Sequence, residues 1–417
     1  MSIPSQLVDA LLEPVFGLVL ATWAGASLLL LKNGLQSGRR ALALEQGRRA
    51  LARIDVPETD EEGLRTAVVS VFAMLDRDIV LPLSVRGTGR PTLDRIVADA
   101  AIARMGRGTL EAIATTTAAP KYNWRRIAAM HLLATGAHSG LVPLLRRTLE
   151  DLDPEIVGAS LAILGRVPDP AAATALVEAL KNATYAPSRI ATYLDQFPLE
   201  ISDLFVPLLR HPDPNVRYWG ATLLSRDGGA DVAPSLRALT EDSSPLVRKA
   251  AVATLARLDK ATALPAARAL LADEVWYVRA HAARALGEAG GPEVAEEIAP
   301  LLADREWWVR VAAKESLQTM GEEVWAVLVP YLDHADPFAR NGAAEVLQNI
   351  GILDSLIVLE AATARPSATK LDMLRKIASA GGTRMTEALL ERVDADTRPR
   401  VRTLLQTLGL APTEAPL

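Results

Sequence analysis

The stretch DPNVRYWGATLL, from Asp213 to Leu224, decides the fold because it recurs in altered form along the chain. The related stretches are SPLVRKAAVATL, VWYVRAHAARAL, EWWVRVAAKESL and DPFARNGAAEVL. Each contains one arginine in the same register, and these are Arg217, Arg248, Arg279, Arg310 and Arg340. The interval between successive arginines is constant as far as Arg310, and Arg340 then comes one position early. A nearly fixed period of this length is typical of repeat proteins.

The same register continues more weakly beyond these five repeats. It reaches Lys370 and Arg398 towards the C-terminus, and Arg189, Val157 and Arg125 towards the N-terminus. We therefore predict about ten repeats of ~30 residues each.

Each repeat is predicted to hold two helices. In the repeat that begins at Val309, apolar and small residues recur three and four positions apart, as on the buried face of an amphipathic helix. This stripe consists of Val309, Ala312, Ala313, Ser316 and Leu317. A second helical segment follows, such as EVAEEIAPLLAD or EVWAVLVPYLDH. A helix pair of this size does not bury its apolar face alone, so we expect the repeats to stack into a solenoid.

The repeat resembles the HEAT-repeat family, a two-helix unit whose first helix opens with Asp-Pro-x-Val-Arg and continues into an alanine-rich face. The segments DPNVRYWGA (Asp213 to Ala221) and SPLVRKAA (Ser244 to Ala251) match this pattern most closely. The resemblance covers residues 120–410 and is strongest over 205–352. It implies an all-α protein, an α-solenoid of about ten two-helix HEAT-like repeats. Most HEAT solenoids are binding scaffolds, and a few branches are enzymes.

Composition excludes several classes of function. The chain has 417 residues and no cysteine, which excludes disulfides, thiolate metal sites and cysteine nucleophiles. The formal net charge of −5 argues against a general nucleic-acid binder, and no nucleic acid is expected as a partner.

The N-terminus differs from the repeats. Residues 14–31, PVFGLVLATWAGASLLLL, carry no charge, and their length lies within the ~17–25 residues that span a bilayer. Acidic residues precede this segment and arginines follow it, so the positive-inside rule predicts an outside N-terminus and a cytoplasmic solenoid. The prediction is thus a single N-terminal transmembrane helix in the inner (cytoplasmic) membrane. A cleaved signal peptide and a buried helix of a soluble protein remain alternatives. The signal peptide is disfavoured because its n-region would be basic, whereas the residues before this segment are acidic.

The predicted domain order follows from these segments. It consists of a transmembrane anchor (1–32), a basic juxtamembrane helix and linker (33–62), a degenerate helical start of the solenoid (63–120), the HEAT solenoid (121–410) and a disordered tail (411–417). Anionic lipid headgroups are the expected contact of Arg39, Arg40, Arg48 and Arg49. An ordinary solvated helix face is the alternative.

Tryptophans replace a proline in two repeats. Three first helices open with Pro214, Pro245 and Pro337 after the capping residues Asp213, Ser244 and Asp336, whereas two open with Trp276 and Trp307. A helix start is exposed, so Trp276 and Trp307 are predicted to bind a partner, with Tyr218 and Trp219 on a related surface. Local packing is the alternative. The next column holds Tyr277 and Trp308 and is mostly apolar, which predicts that these two residues pack in the core or between repeats.

The repeated arginines are predicted to form a structural ladder with aspartates. Asp242, Asp273 and Asp304 each stand six residues before an arginine, and stacked Asp–Arg pairs would fasten one repeat to the next. A positive stripe that binds phosphates is the alternative, which the matching acidic residues disfavour.

We find no catalytic motif. The chain has no HExxH, no GxxxxGK[ST] loop and no GxSxG elbow, and we expect no catalytic residue, metal or cofactor. His334 lies in the turn DHAD, where capping is the favoured role.

Two hypotheses on function remain. The first is a non-catalytic, membrane-anchored adaptor whose solenoid binds a protein, such as a membrane enzyme or an envelope complex. The second is an enzyme or small-ligand or nucleobase binder, with an aromatic cleft in which Trp307 and Trp308 converge with Asp304.

Overall fold

The structure is a computed structural model that describes residues 36–84, 87–116, 122–136, 140–183, 185–227, 229–363, 367–381, 390–391 and 393–410. Those residues form α-helices and short 3₁₀ helices, and they contain no strand. The predicted transmembrane segment 14–31 and the tail 411–417 lie outside the described residues. Among the residues that are described, no single helix has the length and hydropathy of a membrane span. Two consecutive helical segments, Pro337–Asn349 and Asp354–Ala362, reach that length and hydropathy only when taken together, and the angle between them is 71°.

The chain divides into two compact units, Met1–Leu199 and Glu200–Leu417. The helices of the first unit are α1 (36–52), α2 (Glu61–Ala73), α3 (Arg77–Ser84), α4 (Pro91–Met105), α5 (Arg107–Thr115), α6 (Asn123–Thr135), α7 (Leu141–Thr148), α8 (Pro154–Leu164), α9 (Pro170–Lys181) and α10 (Pro187–Asp195). Helix α1 lies within 33–62, the segment predicted to contain a basic juxtamembrane helix and linker.

The second unit contains the five repeats that the sequence marks most clearly. Its α-helices are α11 (Pro214–Asp227), α12 (Ala233–Leu239), α13 (Pro245–Leu258), α14 (Lys260–Leu270), α15 (Trp276–Gly290), α16 (Ala295–Ile298), α17 (Trp307–Thr319), α18 (Trp325–Leu328), α19 (Pro337–Asn349), α20 (Ile352–Ala362), α21 (Ala368–Gly381) and α22 (Arg398–Leu408). The first helices of the five repeats are α11, α13, α15, α17 and α19.

Caps and prolines determine where these helices begin. The carboxylate of Asp213 accepts the N–H of Asn215, and that of Asp336 accepts the N–H groups of Phe338 and Ala339, so both act as the predicted N-caps. Ser244 precedes Pro245 as predicted, but its side chain makes no capping hydrogen bond.

The second helices of two repeats are interrupted by proline. Pro300 and Pro330 lie inside the predicted second helices, and at both places the chain changes from a four-residue α-helix to a 3₁₀ helix, Ala299–Ala303 and Val329–Asp333. Proline cannot donate the backbone hydrogen bond that would continue an α-helix. The predicted segments therefore lie in the right places but are not continuous helices.

The core lies between successive first helices. The buried residues of α17 are Val309, Ala312, Ala313, Ser316 and Leu317, which confirms the predicted stripe. Val309 and Ala312 pack in one cluster with Ala280 and Ala283 of α15. Small alanines on both helices permit this close approach, and the next repeat supplies the apolar surface that a single helix pair lacks.

Candidate partner-binding surface

Five aromatic residues lie in the first turns of three neighbouring first helices. They are Trp276 and Tyr277 of α15, Trp307 and Trp308 of α17, and Phe338 of α19, and we call them the aromatic patch. The side chains of Trp307, Trp308 and Phe338 are 55%, 53% and 57% exposed, and Trp276 is 38% exposed. Large apolar side chains exposed at equivalent positions of adjacent repeats are a feature of interaction surfaces.

Trp308 does not pack in the core, since more than half of its surface is exposed, and Tyr277 is half-buried. In each first helix the residue that points into the core is the one directly before the arginine, such as Val278 or Val309, which are fully buried. The residue one position earlier is rotated by about 100° around the helix and meets solvent instead. The indoles of Trp307 and Trp308 contact each other edge to face, with ring centroids 4.4 Å apart.

Tyr218 and Trp219, the other predicted binding residues, do not belong to the aromatic patch. They follow Arg217 in α11, are half-buried, and pack edge to face with centroids 4.9 Å apart. The first turn of α11 carries Asn215 where the later repeats have leucine or an aromatic residue.

Three arginine–aspartate pairs join four successive repeats. Arg217 binds Asp242, Arg248 binds Asp273 and Arg279 binds Asp304, each through Nε and Nη2 at 2.7–3.0 Å. In these three pairs no side chain is more than 15% exposed. Such bidentate geometry is specific to the guanidinium fork.

Each arginine also holds the loop before its own helix. The Nη1 group of Arg279 donates to the carbonyl oxygens of Asp273 (2.8 Å) and Glu274 (3.2 Å), and Arg310 does the same to Asp304 and Arg305. The sequence places an aspartate six residues before an arginine, but these two residues meet through the aspartate's backbone carbonyl. The carboxylate binds the arginine of the preceding repeat instead, which corrects the predicted pairing.

The ion pairs shift the pKa values of both partners. The hydrogen bond to aspartate raises the pKa of Arg217, Arg248 and Arg279 above its ordinary value. Burial raises the pKa of each aspartate, but the hydrogen bonds from the arginine and from a backbone N–H outweigh burial, so the pKa values of Asp242, Asp273 and Asp304 are lowered.

The ladder does not extend through Arg310 and Arg340 as predicted. Within the described residues neither forms an ion pair, although the Nη1 group of Arg340 donates to the carbonyl oxygens of His334 and Ala335. The guanidinium of Arg310 lies instead over the ring of Phe338, 4.2 Å from its centroid.

A related pair occurs in the first unit, where the sequence register is wrong by one residue. Arg126, not Arg125, is buried, and it binds Asp151, which also accepts the N–H of Asp153. The segment WRRIAAM contains two adjacent arginines, and the repeat pattern alone does not say which of them corresponds to Arg217. The spacing from Arg126 to Asp151 equals that from Arg217 to Asp242, and this signal would have distinguished them.

The four arginines predicted to contact lipid have different surroundings. Arg40 binds Asp78 at 2.8 Å and Arg49 binds Glu45 at 3.0 Å, whereas Arg39 is exposed and Arg48 is half-buried. Arg40 lines a cavity of about 660 Å³ in the first unit, with Arg77, Tyr122 and Trp124 among the other lining residues.

The aromatic cleft of the second hypothesis does not contain Asp304. A groove of about 210 Å³ lies beside Trp307 and is lined by Arg310, Lys314, Phe338 and Glu345 among others. Glu345 is bound by Lys314 at 2.6 Å. Both carboxylate oxygens of Asp304 accept hydrogen bonds from Arg279, so this residue serves the ladder.

Comparison with protein families agrees with this geometry. A family model of HEAT repeats matches residues 202–276 and 268–348, a range that includes the repeats joined by the ladder. The match to HEAT repeats covers these residues of the 417-residue chain. Among curated proteins, none matches the sequence.

A search of solved structures finds several partial matches to this chain. The karyopherin Kap121p, bound to the extreme C-terminus of the protein phosphatase Cdc14p, is 13% identical over 89% of this chain and 50% of its own, with a TM-score of 0.46. An engineered protein is 18% identical over 89% of this chain and 100% of its own, with a TM-score of 0.34. The CpcE–CpcF complex of phycocyanin lyase from Nostoc sp. PCC7120 is 22% identical over 51% of this chain and 96% of the matched chain, with a TM-score of 0.32. This chain spans half the length of Kap121p, and similarities at this level carry no argument on function.

Proposed function

We propose that this chain is a non-catalytic scaffold whose HEAT repeats bind a protein partner through the aromatic patch. The observation that carries the proposal is the exposure of Trp307, Trp308 and Phe338, each more than half accessible to solvent. Tryptophan and arginine are enriched among the residues that dominate binding energy at protein interfaces. Burying such rings against a partner removes apolar surface from water at roughly 25 cal/mol per Å².

The ladder makes this surface rigid before a partner binds. The loop before Trp276 is held by Arg279 at the carbonyls of Asp273 and Glu274, and by the Asp273 carboxylate at the N–H of Val275. The loop before Trp307 is held in the same way by Arg310 and Asp304. Because the positions of the rings are fixed in advance, binding loses less conformational entropy.

The proposal includes the membrane anchor that the charge-free segment 14–31 predicts. In this arrangement the protein is a single-pass inner-membrane protein with its HEAT repeats in the cytoplasm. An anchor raises the effective concentration of the scaffold near other membrane proteins, so a membrane enzyme or envelope complex is the class of partner we favour. Arg39 is free to approach anionic headgroups, whereas Arg40 and Arg49 would have to leave their carboxylate partners.

Chemical cross-linking in the native host tests this function. Wild type and the double variant Trp307→Ala/Trp308→Ala are tagged, cross-linked and purified from detergent-solubilised membranes. Trp325→Ala is the matched control, because Trp325 is 47% exposed in the same unit but lines a different groove, with Leu332 and Met373. A partner recovered by wild type and by Trp325→Ala, and lost in the double variant, supports the proposal. A partner that all three recover equally places docking elsewhere and contradicts the role of the patch.

A further inference from the structure

We call each arginine–aspartate pair of the ladder a rung, and at the aromatic patch one rung lacks its aspartate. In three repeats the Nε–Nη2 edge of the arginine binds the aspartate that precedes the next first helix. In the repeat that follows Arg310, His334 stands where the other repeats have this aspartate, six residues before the next arginine, Arg340. Its Nδ1 accepts the N–H of Asp336 at 3.1 Å, just as Asp304 Oδ1 accepts the N–H of Glu306 at 2.8 Å. Its carbonyl accepts from Arg340, as that of Asp304 accepts from Arg310.

His334 therefore keeps the backbone role of the aspartate but supplies no carboxylate. Its imidazole stacks on the ring of Tyr331, with centroids 5.4 Å apart and planes inclined by 6°. Arg310 keeps its two bonds to the preceding loop, and among the described residues its Nε–Nη2 edge has no ion-pair partner. The rung lacks its anion while the cation remains in place.

Arg310 is half-buried, and among the described residues no hydrogen bond or ion pair engages its Nε–Nη2 edge. The Cζ atom of Arg310 lies over the ring of Phe338, 4.2 Å from its centroid. Arg310 lines the groove of about 210 Å³, beside Trp307. The groove contains two cations, Arg310 and Lys314, and one carboxylate, Glu345, which Lys314 already binds. One positive charge is left unmatched.

We propose that an aspartate or glutamate side chain of the protein partner binds the Nε–Nη2 edge of Arg310 and so completes the rung. This inference rests on the proposed function and specifies the partner's chemistry. The three complete rungs show that a carboxylate fits this edge in bidentate form. An apolar side chain next to the acid would contact Trp307 and Phe338, which flank the groove. The partner segment therefore carries an acidic residue beside an apolar one.

Two substitutions at one position test the inference. His334→Asp supplies the missing carboxylate within the chain, where it is expected to bind Arg310 and exclude the partner's acid. His334→Asn is the matched control, since an amide oxygen accepts the Asp336 N–H without adding charge. We expect His334→Asp to melt at a higher temperature than His334→Asn, because only the former gains an ion pair.

The binding probe is a displayed library of random 12-residue peptides, selected on the full-length wild-type protein. We expect the selected peptides to share an aspartate or glutamate beside an apolar residue. Changing that acid to its amide, or using Arg310→Met or His334→Asp, should weaken binding by about tenfold or more, since a hydrogen bond to a charged group is lost. His334→Asn should bind as wild type does.

The outcomes separate the two proposals. Peptides that need Trp307 and Trp308 but bind His334→Asp as tightly as wild type overturn the carboxylate site and leave the docking surface intact. Peptides that bind Trp307→Ala/Trp308→Ala as tightly as wild type contradict the docking surface itself. A selection that yields no acid-bearing peptide dependent on Arg310 also overturns the inference.

Discussion

Replacement of Arg279 by methionine tests the ladder at its most buried arginine. The side chains of Arg279 and Asp304 are only 7% and 10% exposed, and two hydrogen bonds of 2.9 Å join them. Removing one partner of a buried ion pair costs ~3–5 kcal/mol, because the other charge stays buried without compensation. In the variant, Asp304 still accepts the hydrogen bond from the N–H of Glu306. We therefore expect the free energy of unfolding to fall by an amount near the lower limit, about 3 kcal/mol.

Arg284→Met is the matched control on the same helix. Arg284 binds Glu315 at 2.8 Å, but these side chains are 40% and 54% exposed, and an exposed pair contributes ~0–1 kcal/mol. Urea denaturation of the full-length protein measures both losses. Hydrogen exchange measures them locally, since repeat arrays depart from two-state unfolding. The double variant Arg279→Met/Asp304→Asn should recover part of the stability, because no buried charge is left unpaired. If Arg279→Met costs no more than Arg284→Met, the ladder does not stabilise the repeats as argued.

Three further predictions concern the same contacts, the exposed rings and the N-terminal segment. The folded-state pKa values of Asp242, Asp273 and Asp304 are lowered, so these carboxylates stabilise the fold above the unfolded pKa, ~3.9, and lose that contribution as the pH falls through the folded pKa. Acid denaturation should show this loss of stability below about pH 4. The loss should be smaller in Arg279→Met than in wild type, and a loss as large as that of wild type would contradict the assignment. Trp307→Ala should change the free energy of unfolding by less than about 0.5 kcal/mol, as expected at an exposed site. In the same urea titration Leu317→Ala, at a fully buried position of the same helix, should cost ~2–5 kcal/mol. Equal losses would mean that Trp307 is a packing residue. Deletion of residues 1–32 should move the protein from the membrane to the soluble fraction with unchanged helical content by circular dichroism, and persistence in the membrane fraction would argue against the anchor.

The repeat pattern predicted most of the second unit because a stacked repeat shows the same periodicity in every copy. The buried stripe of α17 follows from spacing alone, as does the inter-repeat role of the arginines and aspartates. The partner of each arginine could not be read from spacing. Each aspartate stands before one arginine and after another, so the sequence fits both pairings, and only stacking brings the second pair together.

The surface was harder to predict than the core. The column that contains Tyr277, Trp308 and Phe338 resembles a core column, yet it lies one position before the buried residue beside each arginine. Trp308 and Phe338 are therefore exposed to solvent, and Tyr277 is half-buried. His334 accepts the N–H of the N-cap residue Asp336, so its side chain holds the turn rather than the helix end. Its place in the register depends on one repeat being shorter than the others by a single residue.

Site-specific photocross-linking tests the central claim, that the aromatic patch binds a protein partner, most directly. A photoreactive phenylalanine analogue is placed at position 308 in one sample and at position 325 in another, and both full-length proteins are irradiated in their native host. Trp308 and Trp325 are similarly exposed, at 53% and 47%, so solvent access does not distinguish them. We predict a specific protein adduct from position 308 that is absent from position 325. No adduct at 308, or the same adducts at both positions, would contradict the claim.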